Sequence, residues 1–210
     1  MRCATCAVFQ QKVARLTGAT MSFETSIIQT ENMTMSTHPF DKLPLSTGGG
    51  LIFTPCPGTK DASLSDSLAQ LKAAGAEALI TVMPNQEMVR NGVADLPEAC
   101  RNTGLQWFHF PIEDDASPDA AFRQAWKAGK SRVFEILNRS GTVAIHCKGG
   151  SGRTGLMAAV ILCERGMPHE RILAQVKSLR PNALKLAVHT DYLLQACAAM
   201  RSQDRAEPGA

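Results

Sequence analysis

The sequence predicts an α/β fold with a central, mainly parallel sheet flanked by helices. Two observations on the order of the chain carry this, and a third places a site on it. Four short apolar runs, at residues 51–53, 78–82, 105–110 and 142–145, end at prolines or run into glycine-rich turns, as buried strands do. Between them, apolar residues recur at helical spacing, and parallel strands need crossovers of this kind. The last strand runs straight into the loop HCKGGSGRTG, residues 146–155, and a second apolar stretch, 156–163, follows it as a helix.

In chain order, residues 51–53 form a strand closed by Thr54-Pro55-Cys56-Pro57-Gly58. Leu64, Leu68 and Leu71 mark a helix that starts among capping residues at 61–65 and stops at Gly75. A buried strand at 78–82 ends before Pro84, and short helices pass through Met88 and Val89 and through 96–100. The strand at 105–110 stops at Pro111, and Pro118 opens a long helix through Phe122, Trp126, Val133, Ile136 and Leu137 that Gly141 ends. Beyond the loop, Pro168 starts a helix with Ile172, Leu173, Val176 and Leu179 on one face. Pro181 breaks it, and a last helix covers about 188–200. Residues 1–35 show no sustained periodicity and read as a flexible extension or a mis-assigned start. One domain is expected over 36–202, and a polar, disordered tail over 203–210.

Composition narrows the function classes. The chain has 210 residues, 44% hydrophobic and 20% charged, enough for one substantial core. No apolar run approaches the ~18 residues of a membrane span, so a soluble, cytoplasmic protein is expected. Aromatics make up 5%, too few to interleave with basic residues as a base-stacking surface, so no nucleic-acid partner is expected. Seven cysteines at irregular spacing argue against a disulfide framework, and Cys163 and Cys197 read as core residues. Cys3-x-x-Cys6 lacks the second pair a zinc site needs, and neither a metal nor a cofactor is expected. Net charge is +3, but residues 121–185 hold twelve Lys/Arg against three acids, an excess of +9 around the loop. Such a field favours phosphorylated or acidic ligands.

The loop itself carries chemistry. A strand, a glycine-rich turn and a helix N-terminus aim backbone N–H groups at one point and make an anion site. Cys147 stands at its floor and Arg153 closes it. A thiol in that setting is favoured as the thiolate nucleophile. Arg153 presents a planar fork to two phosphate oxygens. Lys148, Gly149, Gly150, Ser151 and Gly152 form the cradle, with glycines, Gly155 among them, letting backbone approach the anion. Thr154 is placed to donate to the Cys147 sulfur, and His146 braces the loop. The turn after Phe110 falls at another strand C-terminus and offers Glu113, Asp114 and Asp115 as proton donors to a leaving oxygen.

His146-Cys147-Lys148-Gly149-Gly150-Ser151-Gly152-Arg153-Thr154 resembles the signature of cysteine-dependent protein tyrosine and dual-specificity phosphatases. Residues 54–58, 110–119 and 180–183 are most similar to the kinase-associated (cyclin-dependent kinase inhibitor-type) branch. The resemblance implies a metal-independent phosphatase acting on phosphotyrosine, with phosphoserine and phosphothreonine also open, through a phosphocysteine intermediate. It implies Asp114 as the general acid, from the pattern Pro-Ile-x-Asp-x-x-x-Pro, and a phosphorylated protein as substrate. A cyclin-dependent kinase-like partner is implied by resemblance alone. Related enzymes often carry glutamines where this chain has Lys185 and His189, and His189 reads as a plain helix-face residue.

Three other readings are weighed. Lys148 inside the loop also fits phosphoinositides or other small phosphate monoesters. A phosphate-binding module without turnover would not need Cys147, Arg153, Thr154 and an acid together. The spacing Gly150-x-Gly152-x-x-Gly155 is a dinucleotide fingerprint, but the strand and acidic residue required about 20 residues later are missing, and Glu170 falls in a helical stretch. Cys56 and Cys100 are considered as redox partners of Cys147.

Overall fold

The computed structural model describes residues 36–206. The expected N-terminal extension and Cys3-x-x-Cys6 lie outside the described residues. Five strands form one sheet: β1 (Asp41–Pro44), β2 (Gly50–Thr54), β3 (Ala76–Thr81), β4 (Gln106–His109) and β5 (Thr142–His146). Their order is β1-β2-β5-β3-β4. β2, β5, β3 and β4 pair in parallel, and β1 alone runs antiparallel, with Asp41 opposite Phe53 and Leu43 opposite Leu51. The four strands expected are all present. β1 was not expected, because only Leu43 of its four residues turns inward. Pro44 is tolerated there because it ends an edge strand.

Seven helices complete the described domain: α1 (Leu64–Ala73), α2 (Asn85–Arg90), α3 (Leu96–Thr103), α4 (Ala120–Asn138), α5 (Gly152–Glu164), α6 (His169–Leu179) and α7 (Ala187–Ala206). Ser63 caps α1 by accepting from the Asp66 N–H, and Asp119 caps α4 by accepting from Phe122 N–H at 2.9 Å. Glu170 lies in α6, so the dinucleotide reading has no following strand. α7 runs on to Ala206, over the first residues of the stretch expected as tail.

β5 is buried along its whole length between β2 and β3. The connection from β2 to β3 passes it in one direction and the connection from β4 returns to it in the other. With crossovers of one hand, that reversal puts α1 and α4 on opposite faces. It also leaves a crevice at the carboxyl ends of β2, β5 and β3, the place where open α/β sheets bind ligands. α5 is buried from Arg153 to Cys163, and apolar on all sides from Leu156 onward, because sheet and helices enclose it. Its N-terminus is thereby fixed at the crevice.

Cys163 and Cys197 are core residues as read, and their sulfurs are in addition joined, with Cα atoms 5.8 Å apart. Both are buried, and the bond ties α5 to α7. Their apolar neighbours hid the pairing, since a joined and an unjoined core cysteine look alike in sequence. Among the described residues, no helix is long and apolar enough to cross a membrane.

Candidate active site

The loop after β5 is shaped by two outward-turned carbonyls. The Lys148 carbonyl accepts from Cys56 N–H at 3.2 Å, and the Gly150 carbonyl accepts from Arg180 Nε at 2.8 Å. In a trans peptide the next N–H points the opposite way, so the N–H groups of Gly149 and Ser151 face into the loop. Arg180 also donates to the Phe53 carbonyl at 2.9 Å and pairs with Asp41, which ties the loop to β2 and β1. α5 then presents its N-terminus, with no acidic residue in its first turn to neutralise it.

The four cradle glycines prove unlike one another. Gly150 has φ +71°, and a Cβ there would meet Pro55 N and Thr54 C at 2.5 Å. A Cβ on Gly155 would meet the Ala183 Cβ at 2.4 Å, so this glycine serves helix packing. Gly149 and Gly152 have open space before them and border the cavity. Gly150→Ala is therefore expected to cost about 1–3 kcal/mol in stability and to distort the loop, seen as a lower Tm and a lower kcat/KM. A wild-type melting curve for that variant would contradict the strain.

Cys147, 4% exposed, lines a cavity of about 440 Å³ together with Arg153, Asp114 and His189. Lys148, Gly149, Ser151 and Gly152 border it, Gly150 does not, and Lys60 and Asn91 join from neighbouring loops. His146 is fully buried below. Its Nε2 lies 2.7 Å from Thr81 Oγ1, which also accepts from Trp107 Nε1 at 2.8 Å. Burial drives the imidazole pKa down to about 3, against the opposing pull of the Cys147 backbone. His146 is thus a neutral brace that moves no proton at ordinary pH. Thr154 is fully buried, and its Oγ1 has no partner, so the expected bond to the Cys147 sulfur is not made in this state.

Arg153 is held by a residue that the sequence reading missed. Glu87, in the first turn of α2, takes Nη1 at 2.5 Å and Nη2 at 2.8 Å, and both side chains are buried. Nη1 also donates to the Ile112 carbonyl at 3.2 Å. Burial opposes the guanidinium charge, but Glu87, with the charges of Cys147 and Asp114, more than offsets it and raises the Arg153 pKa. The guanidinium Nε is buried without a protein partner, a donor left for an anion. The only hint in sequence was an acid on the helix after β3, indistinguishable from an ordinary helix N-terminal acid.

Asp114 arrives on the turn after β4. Its Oδ1 lies 3.0 Å from Arg153 Nη2, while its side chain stays 69% exposed. Asp115 follows in the left-handed region at φ 56°, which reverses the chain. Asp119 is spent as a helix cap, and Glu113 is exposed away from Cys147, so of the acidic turn Asp114 and Asp115 border the cavity. The Lys185 and His189 positions separate clearly. Lys185 is exposed and bonds Asn182 at 2.5 Å. His189, read as a helix-face residue, is instead 1% exposed in the cavity wall. Cys56 and Cys100 are buried free thiols whose pKa values burial pushes up to about 12, for Cys56 with help from the charges of Cys147 and Glu87. Both stay protonated. Among the described residues no cluster of His, Cys, Asp and Glu is suited to a metal.

Comparison with known proteins bears on family and fold. The rat protein "Cyclin-dependent kinase inhibitor 3" is 27% identical over 126 residues, 59% of this chain and 58% of its own length. The match thus spans less than two thirds of that relative. In fold, the chain is similar to kinase-associated phosphatase carrying a serine for its catalytic cysteine, with TM-score 0.70, 21% identity, and 80% and 98% of the two chains covered. PTPMT1 aligns with TM-score 0.62 at 12% identity, over 80% of this chain and all of its own. Human DUSP28 aligns with TM-score 0.56 at 16% identity, over 80% and 99%. Residues 56–167, more than half of the chain and including the whole cysteine loop, match the model of a family described as "Tc-R-P: Polymorphic toxin system, DSP-PTPase phosphatase". The resemblance seen in the loop is therefore sound, and the chain belongs to the DSP-PTPase phosphatase family.

Proposed function

We propose that this chain is a metal-independent phosphatase that removes phosphate from phosphotyrosine, phosphoserine or phosphothreonine on proteins through a phosphocysteine intermediate. The observation that carries the reading is the single cavity shared by Cys147, the Glu87-held Arg153 and Asp114. Cys147 Sγ attacks phosphorus as the thiolate. Arg153 and the inward N–H groups hold the equatorial oxygens, and the ester oxygen leaves with a proton from Asp114. Water then attacks phosphorus, Asp114 takes its proton, and the thiolate departs with inorganic phosphate. The buried, unpartnered Thr154 Oγ1 is the donor available to that departing sulfur.

Asp114→Asn tests the proton step. Hydrolysis of an alkyl or phenyl phosphate is expected to fall by about 10²–10³-fold, and that of an activated aryl phosphate far less in its first step. Equal losses of kcat/KM on both would remove Asp114 from the role. Activity in excess chelator checks metal independence, and its loss there would contradict the mechanism.

A second substrate reading rests on Lys60 and Lys148, which both border the cavity. They favour a substrate with a further anionic group, such as a phosphoinositide. Comparison of kcat/KM across phosphopeptides and phosphoinositides separates the two. The cyclin-dependent kinase-like partner rests on the similarity to the rat protein. The cytoplasm is our proposed location, since the free Cys147 thiol must stay reduced to act; the Cys163–Cys197 bond, buried between α5 and α7, is the feature that weighs against it.

A further inference from the structure

The turn that carries Asp114 is anchored firmly on one side only by the sheet. Upstream, Phe110 N–H and Ile112 N–H donate to the Thr81 and Val82 carbonyls, both at 3.0 Å, and Ile112 is buried. Downstream, Glu113, Asp114 and Asp115 are exposed, and Asp115 holds a left-handed φ of 56°. A non-glycine residue keeps such a conformation only when its neighbours are held. Besides the Ala116 N–H bond to the Glu113 carbonyl at 3.3 Å and the Arg153–Asp114 ion pair, α7 adds a hold: His189 Nε2 lies 3.0 Å from the Ala116 carbonyl oxygen.

That contact fixes where one ring hydrogen sits. A carbonyl oxygen only accepts, so Nε2 carries the hydrogen. Nδ1 is buried without a partner, and a second proton there would have none to bond. Burial lowers the His189 pKa, with the Arg153 charge acting the same way and the Ala116 carbonyl, Asp115 and Asp114 opposing. The ring is neutral, and its single N–H is committed to the turn. As a buried group in the first turn of α7, it is also rigid, which an exposed loop cannot be for itself.

We propose that His189 is the positioning residue of the acid turn: its Nε2–H holds the Ala116 carbonyl, so that Asp114, two residues earlier, stays directed at the Cys147 cavity. This inference rests on the reading of Asp114 as the proton donor. His189 acts through Asp114 and does not itself move a proton.

The test compares wild type, His189→Leu, His189→Gln, Asp114→Asn and the Asp114→Asn/His189→Leu double variant on phenyl phosphate and on an activated aryl phosphate. Leucine removes the donor, and glutamine retains an N–H of similar reach. His189→Leu is expected to lower kcat/KM on phenyl phosphate about tenfold more than on the activated ester, a fraction of the whole general-acid contribution. His189→Gln is expected to recover most of that difference. In the double variant the added loss over Asp114→Asn is expected to vanish, as it does for residues that act as one unit. Equal loss on both substrates in His189→Leu, or full additivity with Asp114→Asn, would overturn the proposal. If Asp114→Asn itself shows no leaving-group dependence, the acid assignment fails and the inference falls with it. If only His189→Leu lacks it, the acid stands and the inference fails alone. Should His189→Leu not fold, His189→Met fills the site without an N–H donor and carries the same comparison.

Discussion

Cys147→Ser is expected to abolish phosphate-monoester hydrolysis, with kcat falling on the order of 10⁴–10⁶-fold, as when the nucleophile of a covalent mechanism is removed. A serine hydroxyl in the same place is hardly ionised, and Asp114 enters the first step protonated, as an acid, and cannot serve as its base. The nearest histidine in the chain, His146, is a neutral brace whose Nε2 is engaged with Thr81. Fold and phosphate binding should survive, because the proposed anion contacts come from Gly149, Ser151 and Arg153. The protein should then hold a phosphorylated substrate without turning it over, measurable as a Kd by calorimetry beside a null kcat. Substantial turnover by this variant would mean that another group attacks phosphorus.

Glu87→Ala is expected to have the second large effect, on stability and activity together. It leaves the Arg153 guanidinium, 3% exposed, without the carboxylate that takes both its Nη atoms. Breaking one side of a buried pair costs about 3–5 kcal/mol, enough to lower Tm by about 10 °C or more in a domain of this size. A guanidinium that has lost its orientation should also lower kcat/KM by about 10²-fold. The pair adds a pH signature. The Arg153 hydrogen bonds, against the cost of burial, hold the Glu87 carboxyl below its ordinary value of 4.5. Its stabilisation is complete above that value and is lost as pH falls through the lower folded-state value. His146, depressed to about 3, acts in the same direction, because the unfolded chain takes up its proton first, from about pH 6.5 downward. Wild type should therefore lose Tm on acidification, and Glu87→Ala should lose less of it below about pH 4.5. A Glu87→Ala protein that melts like wild type would show the pair to be energetically idle.

The loop was legible because its chemistry is local. Cys147, Arg153 and the glycines between them lie within seven residues, and strand, turn and helix start are all written there. The four buried strands were legible for the same reason, each being a continuous apolar run. What sequence hid was long-range. Glu87 meets Arg153 from 66 positions away, and Arg180 meets Gly150 from 30. His189 lies 73 positions from Ala116, and a histidine near the start of an amphipathic helix gives no sign of which way it turns. β1 escaped because an edge strand with one inward side chain has no pattern to detect. The glycines taught a smaller lesson: four looked equivalent, but Gly150 answers to the backbone of Thr54 and Pro55, and Gly155 to Ala183.

The central claim is a phosphoryl group carried on Cys147. Asp114→Asn is the protein in which to see it, because an activated aryl phosphate needs little acid to form the intermediate, while its breakdown still needs the base. Mixing this variant with the activated ester, quenching rapidly and measuring intact mass should reveal one phosphoryl group per chain, located to the peptide containing Cys147. The Cys147→Ser/Asp114→Asn protein should carry none. A burst of product with no covalent phosphate, or phosphate on any residue other than Cys147, would contradict the mechanism.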